Sequence, residues 1–255
     1  MGILQEIVEY KKSSLNRSYS YFDELLGMIK EAKPPLSLKN AIISSKAIKT
    51  PIIAEIKQAS PSMGHIKNVD IKNQAHKYQE AGACAISVLT DEKFFGGKLS
   101  YLEEVKSVVE IPVMRKDFII DPIQVYEARA YKADAILLIA RILDKYQIED
   151  ISYEAKKLGL DILMEIFEED EIEKVKEFEI IGVNNRDLDT LDIDISKSKE
   201  MLPILKENTK AVLISESGIF SKDDINFLEG YDGFLIGTSI MKEDDPAKKL
   251  KELVW

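Results

Sequence analysis

From about residue 50 onward, one pattern of hydrophobic and polar positions recurs along the chain. A short apolar run rich in β-branched residues is followed each time by a longer run that mixes apolar and charged residues. Nearly continuous apolar runs of this length are typical of parallel strands that are buried on both faces. The eight short runs, interpreted as strands, are residues 51–57, 83–90, 111–118, 134–140, 161–167, 180–185, 210–217 and 232–237.

The segments between these runs have the apolar spacing of surface helices. In DKYQIEDISYEAKKLGL, for example, apolar residues recur among the charges, and Gly159 stands where a helix would end. Strands that alternate with helices predict right-handed βαβ units. The predicted helices are residues 70–81, 99–109, 121–132, 144–158, 168–178, 193–206, 221–229 and 244–253.

The number of these units predicts the fold class. Eight βα units in about 200 residues are typical of an α/β protein with a (β/α)8 TIM barrel. The main alternative is a doubly wound open sheet. Such a sheet usually has fewer strands and a G-x-G-x-x-G turn after the first one, whereas the turn here is QASPSMG.

Residues 1–50 precede the first predicted strand. Apolar residues at positions 3, 4, 7, 8 and 15 have helical spacing, and KPPLSLKNAI then interrupts the pattern with two prolines. This predicts one or two extra helices that cover the barrel, with a mobile arm as the alternative. Since no linker is evident, we expect residues 1–255 to form a single barrel domain, with 1–50 as an N-terminal helical extension.

Composition narrows the range of partners. The formal charge is −10, from 35 basic and 45 acidic residues, and an acidic chain is a poor general binder of nucleic acid. The sequence has no signal-peptide pattern and no apolar window long enough for a bilayer, so we expect no membrane contact and a cytoplasmic location.

Cys84 lies in an apolar run, which predicts a buried structural role. The two histidines, His65 and His76, are too few and too separated to indicate a metal site.

Charged residues recur at the ends of the predicted strands. Glu55 and Lys57 share one face of the first strand, while Lys116 and Glu165 end the third and fifth. Active sites of TIM barrels lie at these strand ends. A salt bridge would explain any one of these residues, but their consistent phase in three strands favours chemistry. Other candidates at strand ends and in the loops that follow are Ser60, Asn184, Arg186, Ser215, Glu216, Ser217, Gly218, Gly237 and Thr238.

Small-residue turns follow the last two predicted strands, in SGIFSKDDI and IGTSIM. Glycine allows backbone N–H groups to approach an anion, and the loops after strands seven and eight often bind phosphate in this fold. The two turns together predict a phosphorylated small-molecule substrate. After the second strand come Phe94 and Phe95, of which we expect one to belong to the core and the other to line a pocket.

Seven segments in this order resemble the indole-3-glycerol-phosphate synthase family of tryptophan biosynthesis: IIAEIKQASPS, LTDEKFFGG, RKDFIID, LLIARIL, IIGVNNRDL, SESGI and FLIGTSIM. The resemblance covers nearly the whole chain, including ILQEIVEYKK near the N-terminus. It implies a (β/α)8 barrel with an N-terminal helical extension. It also implies conversion of 1-(2-carboxyphenylamino)-1-deoxyribulose 5-phosphate to indole-3-glycerol phosphate, CO₂ and water, without a cofactor or metal.

The resemblance also implies roles for individual residues. Lys116 would be the general acid that protonates the substrate carbonyl, and neighbouring cations are expected to lower its pKa. Lys57 would hold the substrate carboxylate and assist ring closure or dehydration. Glu165 would be the general base and Glu55 would aid dehydration, while Asn184 would position the substrate. The implied substrate-binding residues are Ser60, Phe95, Arg186, Glu216, Ser217, Gly218, Gly237 and Thr238.

The sequence departs from the family pattern at two positions. Gln58 replaces a basic residue after the AEIK lysine, which could weaken substrate capture, and Thr238 stands where serine is common but keeps the hydroxyl.

Three alternatives to the synthase function remain: a Schiff-base aldolase that uses Lys116, an isomerase that needs a reactive cysteine such as Cys84, and a non-enzymatic barrel. For oligomeric state, we expect a monomer or weak homodimer.

Overall fold

The computed structural model describes residues 2–61, 64–65 and 69–255. Within these ranges, eight parallel strands close into a barrel, since each strand pairs with the next along the chain and the last pairs with the first. The (β/α)8 prediction is therefore confirmed and the open sheet is excluded. The strands are β1 (Ile52–Ile56), β2 (Ala85–Leu89), β3 (Val113–Lys116), β4 (Ala135–Ile139), β5 (Asp161–Ile166), β6 (Ile180–Asn184), β7 (Val212–Glu216) and β8 (Gly233–Ile236).

Helices separate the strands as predicted, although most are shorter than their amphipathic segments. None of the helices in the described ranges combines the length and apolar character needed to cross a membrane. The helices are α1 (Ile3–Ser14), α2 (Tyr19–Glu31), α3 (Leu38–Lys46), α4 (Ile71–Ala81), α5 (Glu92–Phe95), α6 (Ser100–Lys106), α7 (Ile123–Ala130), α8 (Lys145–Lys157), α9 (Ile172–Val175), α10 (Ser196–Asn208), α11 (Lys222–Phe227), α12 (Thr238–Met241) and α13 (Pro246–Val254).

Alternation along each strand separates two apolar regions. Outward residues such as Ile52 and Ala54 pack against the helices, whereas inward residues such as Ile53 and Met114 fill the barrel. Ile53 pairs with Ala85 on one side and with Leu235 on the other, so inward positions meet inward positions around the barrel. The inward residue two positions further along each strand therefore lies at the carboxyl end of the barrel.

The N-terminal extension contains three helices, not the one or two that were predicted. The prolines end α2, but Ser37 then starts α3 by accepting a hydrogen bond from the Asn40 N–H. Leu38 and Ile42 on α3 are fully buried against the lower barrel interior. Asp161 at the start of β5 holds α3 there by accepting hydrogen bonds from Ser37 Oγ and the Lys39 N–H. The division into one barrel domain and its extension stays a prediction.

Helix α1 covers the opposite end of the barrel. Its residue Lys11 is buried and places Nζ 3.0 Å from Asp91 Oδ2, after β2, and 2.6 Å from Asp117 Oδ1, after β3. On its other side, Asp117 accepts hydrogen bonds from Arg115 Nη2 and Thr90 Oγ1. This buried network connects the extension to the strand that carries Lys116.

The Asp117 carboxyl is expected to dominate the acid sensitivity of this network. Burial opposes its ionisation, but Arg115 and Lys11 outweigh burial and lower its pKa from 3.8 to about 2. A lowered pKa stabilises the fold at neutral pH by about 2–3 kcal/mol, and this contribution is lost as the pH falls from about 4 to 2. In urea titrations, Asp117→Asn should therefore be less stable at pH 7 and lose less stability over that window. A pH dependence equal to that of the wild type, with the exposed control Asp223→Asn unchanged, would contradict this prediction.

Candidate active site

Four charged side chains meet inside the carboxyl end of the barrel, around the ammonium group of Lys116. Lys116 Nζ lies 2.9 Å from Glu216 Oε2, 3.5 Å from Glu165 Oε2 and 3.8 Å from Glu55 Oε2. The Lys57 ammonium group joins them, with its Nζ 2.6 Å from Glu55 Oε1. The structure thus brings together Glu55, Lys57, Lys116 and Glu165, together with Glu216, for which substrate binding was predicted.

Strand alternation explains why these side chains meet. Barrel interiors are filled in layers of four side chains, each layer supplied by alternate strands. One such layer lies at the carboxyl ends of β1, β3, β5 and β7 and consists of Glu55, Lys116, Glu165 and Glu216, each the last or next-to-last residue of its strand. We call this set the charged layer. It stands where an apolar layer would otherwise close the core, so its charges must satisfy one another.

The carboxylates keep Lys116 charged. Burial alone would lower the pKa of Lys116, but Glu216, Glu165 and Glu55 outweigh it and raise the pKa above its ordinary value of 10.5. The expectation that neighbouring cations lower this pKa is therefore wrong. The three groups nearest to Lys116 Nζ are carboxyl groups and not cations, and their order around the barrel could not be known from the sequence.

Glu216 occupies a different place from the one predicted for it. Of the thirteen residues to which the resemblance gives a role, twelve line the cavity above the charged layer, whereas Glu216 is fully buried beside Lys116 and does not. Ser215, the remaining strand-end candidate, is also buried and outside the lining. Burial raises the pKa of Glu216 from 4.5 to about 8, despite the opposing effect of Lys116. Within the described residues, no hydrogen-bond partner reaches its Oε1 atom. A direct substrate contact by Glu216 is thus not supported, whereas contact with Lys116 is.

Gly182 on β6 makes room for this carboxyl group. A Cβ atom at position 182 would lie 2.1 Å from Glu216 Oε1, much closer than atoms can approach.

The pKa of Glu55 shifts in the opposite direction from that of Glu216. Burial would raise the Glu55 pKa, but Lys57 and Lys116 overcome burial and lower it, so Glu55 is ionised.

The cavity above the charged layer has an apolar wall and a polar end. Helix α1 contributes Leu4 and Ile7, and aromatic side chains come from Phe95 and Phe118. This wall suits a planar aromatic ring. The remaining apolar lining residues include Leu89, Leu137, Ile139, Leu188, Leu191 and Ile193.

The polar end of the cavity is formed by the two small-residue turns. Ser217 and Gly218 follow β7 with φ angles of +67° and +78°, and Gly237 and Thr238 follow β8. A Cβ atom at position 218 would lie 2.7 Å from Ile193 Cγ2, so glycine is required there for space as well as conformation. All four residues line the cavity, as a phosphate site at this end of the fold requires.

Three further predictions concern the rim. Phe95 lines the cavity, as expected for one of the two phenylalanines. Phe94 packs edge-on against Tyr10 of α1 but is only half-buried, so the prediction that the other phenylalanine belongs to the core is wrong. Ser60 lines the cavity from the two-residue strand Ala59–Ser60, which pairs with Gly64–His65. Gln58 is half-buried, with Nε2 3.5 Å from the Tyr101 hydroxyl.

Sequence reasoning missed several residues of the site. Leu4 and Ile7 were assigned to a covering helix but not to the cavity wall, although their helical spacing indicated an apolar face. Phe118 lies in the RKDF segment, but only the charged residue Lys116 of that segment was predicted to belong to the site. The β6 loop residues Leu188 and Leu191 are scattered among aspartates, and their sequence pattern gave no signal.

The geometry disfavours two of the alternative enzymes. Cys84 is buried at the start of β2, at the far end of the barrel from the charged layer, and burial raises its pKa to about 12. Such a thiol is unsuited to acid–base catalysis. A Schiff-base aldolase needs a neutral amine, whereas the carboxylates around Lys116 keep it protonated.

Comparisons with known proteins agree with one another. A family model described as "Indole-3-glycerol phosphate synthase" matches residues 4–253. A protein of that name from Aquifex aeolicus (strain VF5) is 45% identical over 258 residues, covering 100% of this chain and 99% of the relative. Another from Carboxydothermus hydrogenoformans is 40% identical, covering 98% and 99%. The solved structure of tryptophan synthase subunit alpha from Legionella pneumophila has a TM-score of 0.61 at 14% identity, covering 83% of this chain and 93% of that one, and shows the fold alone.

Proposed function

The chain belongs to the indole-3-glycerol phosphate synthase family, and we propose that the charged layer and the cavity above it carry out the family reaction. The enzyme is a carbon–carbon lyase. Its substrate is 1-(2-carboxyphenylamino)-1-deoxyribulose 5-phosphate, which undergoes ring closure, decarboxylation and dehydration to indole-3-glycerol phosphate. The observation that carries the residue assignment is a lysine held by three carboxyl groups directly beneath an apolar cavity.

In the ring-closing step, Lys116 acts as general acid. The aromatic carbon that bears the carboxylate attacks the ketone carbon, and negative charge develops on the ketone oxygen. Lys116 donates a proton to that oxygen as the carbon–carbon bond forms. Its raised pKa means that the group is fully protonated before the reaction begins.

The later steps use Lys57, Glu165 and Glu55. Lys57 holds the substrate carboxylate during ring closure, and loss of CO₂ then restores the aromatic ring. For dehydration, the new hydroxyl leaves as water after gaining a proton, and the methylene carbon beside nitrogen loses one. We assign the proton donor to Lys57, steadied by Glu55 at 2.6 Å, and the proton acceptor to Glu165.

Glu216 supplies the proton reserve for Lys116 in this proposal. With a pKa raised to about 8, its carboxyl group keeps a proton at neutral pH. After Lys116 has donated its proton to the ketone oxygen, the Glu216 carboxyl, 2.9 Å away, can return one to the amine and become a carboxylate. A buried acid in contact with the donor is suited to such a transfer.

The rest of the cavity fixes the orientation of the substrate. The aromatic ring lies against the wall formed by Leu4, Ile7 and Phe118, and the phosphate lies at the turns after β7 and β8. Asn184 and Arg186 border the reacting centre, and the backbone N–H of Arg186 donates to Asn184 Oδ1 at 3.0 Å, which orients the Asn184 amide. A cytoplasmic location and a monomeric or weakly dimeric state belong to the same proposal.

The direct test is turnover of the anthranilate-derived substrate, followed by the fluorescence of the indole product. We expect saturable product formation without an added cofactor, and unchanged turnover in Lys174→Met, which alters an exposed lysine on α9. Folded protein that gives no product would contradict the assignment. Borohydride trapping of substrate on Lys116 would instead favour the aldolase.

A further inference from the structure

The turn after β7 accepts hydrogen bonds from two buried side chains. Asn185 Nδ2 donates to the Ser217 carbonyl at 3.0 Å, and Ser239 Oγ donates to the Ile219 carbonyl at 2.6 Å. Asn185 and Ser239 are 1% and 6% exposed and belong to different parts of the barrel, the β6 loop and α12. The two carbonyls of this turn are therefore fixed by side chains that have no part in the proposed chemistry.

Asn185 uses both ends of its side-chain amide. Its Nδ2 donates to Ser215 Oγ at 3.1 Å as well as to Ser217, and its Oδ1 accepts from the Ser198 N–H at 3.0 Å. Its backbone N–H donates to the Glu216 carbonyl at 2.9 Å. Three neighbours thus determine the orientation of the side-chain amide, and the backbone contact anchors the residue that carries it, which makes Asn185 a rigid support.

The support sets the direction of a backbone donor. In a trans peptide the C=O and the following N–H point in opposite directions. The Ser217 carbonyl points to Asn185, so the Gly218 N–H points away from Asn185, and both Ser217 and Gly218 line the cavity. Within the described part of the chain, that N–H has no protein acceptor.

The turn would not hold this shape by itself. Ser217 has φ +67°, in the left-handed region that non-glycine residues rarely occupy. A backbone conformation of this kind is unfavourable by itself and persists when surrounding contacts enforce it. The neighbouring Ile219–Phe220 peptide is fixed at both ends, since Ser239 donates to its carbonyl and Asp224 accepts from its N–H.

We propose that Asn185 and Ser239 are positioning residues for the phosphate group of the substrate, because they hold the β7 turn so that the Gly218 N–H faces the cavity. The inference rests on the proposed function, which places a phosphate at this turn. Asn185 lies outside the cavity lining, and the Ser239 hydroxyl, which borders the cavity, donates its proton to the Ile219 carbonyl. Both side chains act on affinity for the phosphate and not on proton transfer at Lys116.

The test compares two substrates that differ only in the phosphate: the phosphorylated substrate and its dephosphorylated counterpart. In Asn185→Ala and Ser239→Ala, we expect kcat/KM for the phosphorylated substrate to fall about tenfold or more, mainly through KM. The kcat/KM for the dephosphorylated compound should stay within about twofold of the wild-type value. Thr209→Ala is the matched control, since it removes another hydroxyl donor to a backbone carbonyl, that of Lys176, below the barrel.

Each outcome decides the proposal. Equal losses with both substrates would mean that the two side chains serve the fold only, and no loss with either would mean that the turn needs no support. If Asn185→Ala fails to fold, Ser239→Ala gives the same comparison after removal of a single oxygen atom.

Binding of inorganic phosphate, measured by calorimetry, separates this inference from the function itself. Wild-type protein that binds phosphate but lacks turnover, with both variants binding it at least tenfold more weakly, would support the positioning role while the proposed function fails. Wild-type protein that binds no phosphate would overturn the positioning role.

Discussion

Replacing Lys116 by methionine is expected to lower kcat by about a thousandfold, with a similar fall in kcat/KM. Methionine has nearly the shape of lysine but has no proton to donate, and positioned general acids contribute about 10²–10⁴-fold to rate. Since the proton is needed only as the carbon–carbon bond forms, KM should change little. Steady-state kinetics of the fluorescent product measure both constants.

The same substitution is expected to reveal the electrostatic role of Lys116 in the fold. Its removal leaves Glu55, Glu165 and Glu216 within one buried layer without their shared cation. The carboxyl groups then resist ionisation, so the variant should lose more stability at pH 8 than at pH 5, as measured by urea unfolding.

Lys116→Arg separates charge from proton donation. Arginine keeps the positive charge but is not deprotonated in proteins. It should therefore restore part of the stability without restoring kcat. Near-normal kcat in Lys116→Met, or recovery of kcat by arginine, would refute the assignment of Lys116 as general acid.

The strands of this fold could be predicted because their burial is recorded in the sequence. A strand buried on both faces needs an unbroken apolar run, and eight such runs are separated by amphipathic segments. The helices of the extension were harder to count. KPPLSLKNAI contains both the prolines that end α2 and Ser37, which starts α3, and the two signals were interpreted as a single interruption.

The charged layer could be predicted in part. The period of two placed Glu55, Lys116 and Glu165 on inward faces, and strand ends meet at one end of a barrel. The same period applies to Ile214 and Glu216, so the inward direction of Glu216 was also readable. Its contact with Lys116 was not, because the distance across a barrel depends on tilt and stagger that one strand does not encode.

We expect Glu216 to increase the activity of the enzyme but to lower the stability of the fold at neutral and higher pH. The group has a raised pKa in the folded protein, so the folded state holds a proton that the unfolded chain releases. Stability should therefore fall as the pH rises from about 5 to 8. Glu216→Gln cannot ionise and still accepts a hydrogen bond from Lys116, so it should lack this loss and be up to about 4 kcal/mol more stable than wild type near pH 8. Urea titrations at several pH values measure the difference.

The activity of Glu216→Gln should move in the opposite direction. If the carboxyl group returns a proton to Lys116, glutamine cannot do so, and kcat should fall about a hundredfold. The wild-type kcat should also decline above about pH 8, where Glu216 ionises, and the variant should lack that decline. Glu229→Gln, on the surface, controls for the loss of one charge. A stability difference that is constant with pH would show that Glu216 is ionised throughout. Full activity in the stabilised variant would show that Lys116 needs no proton reserve.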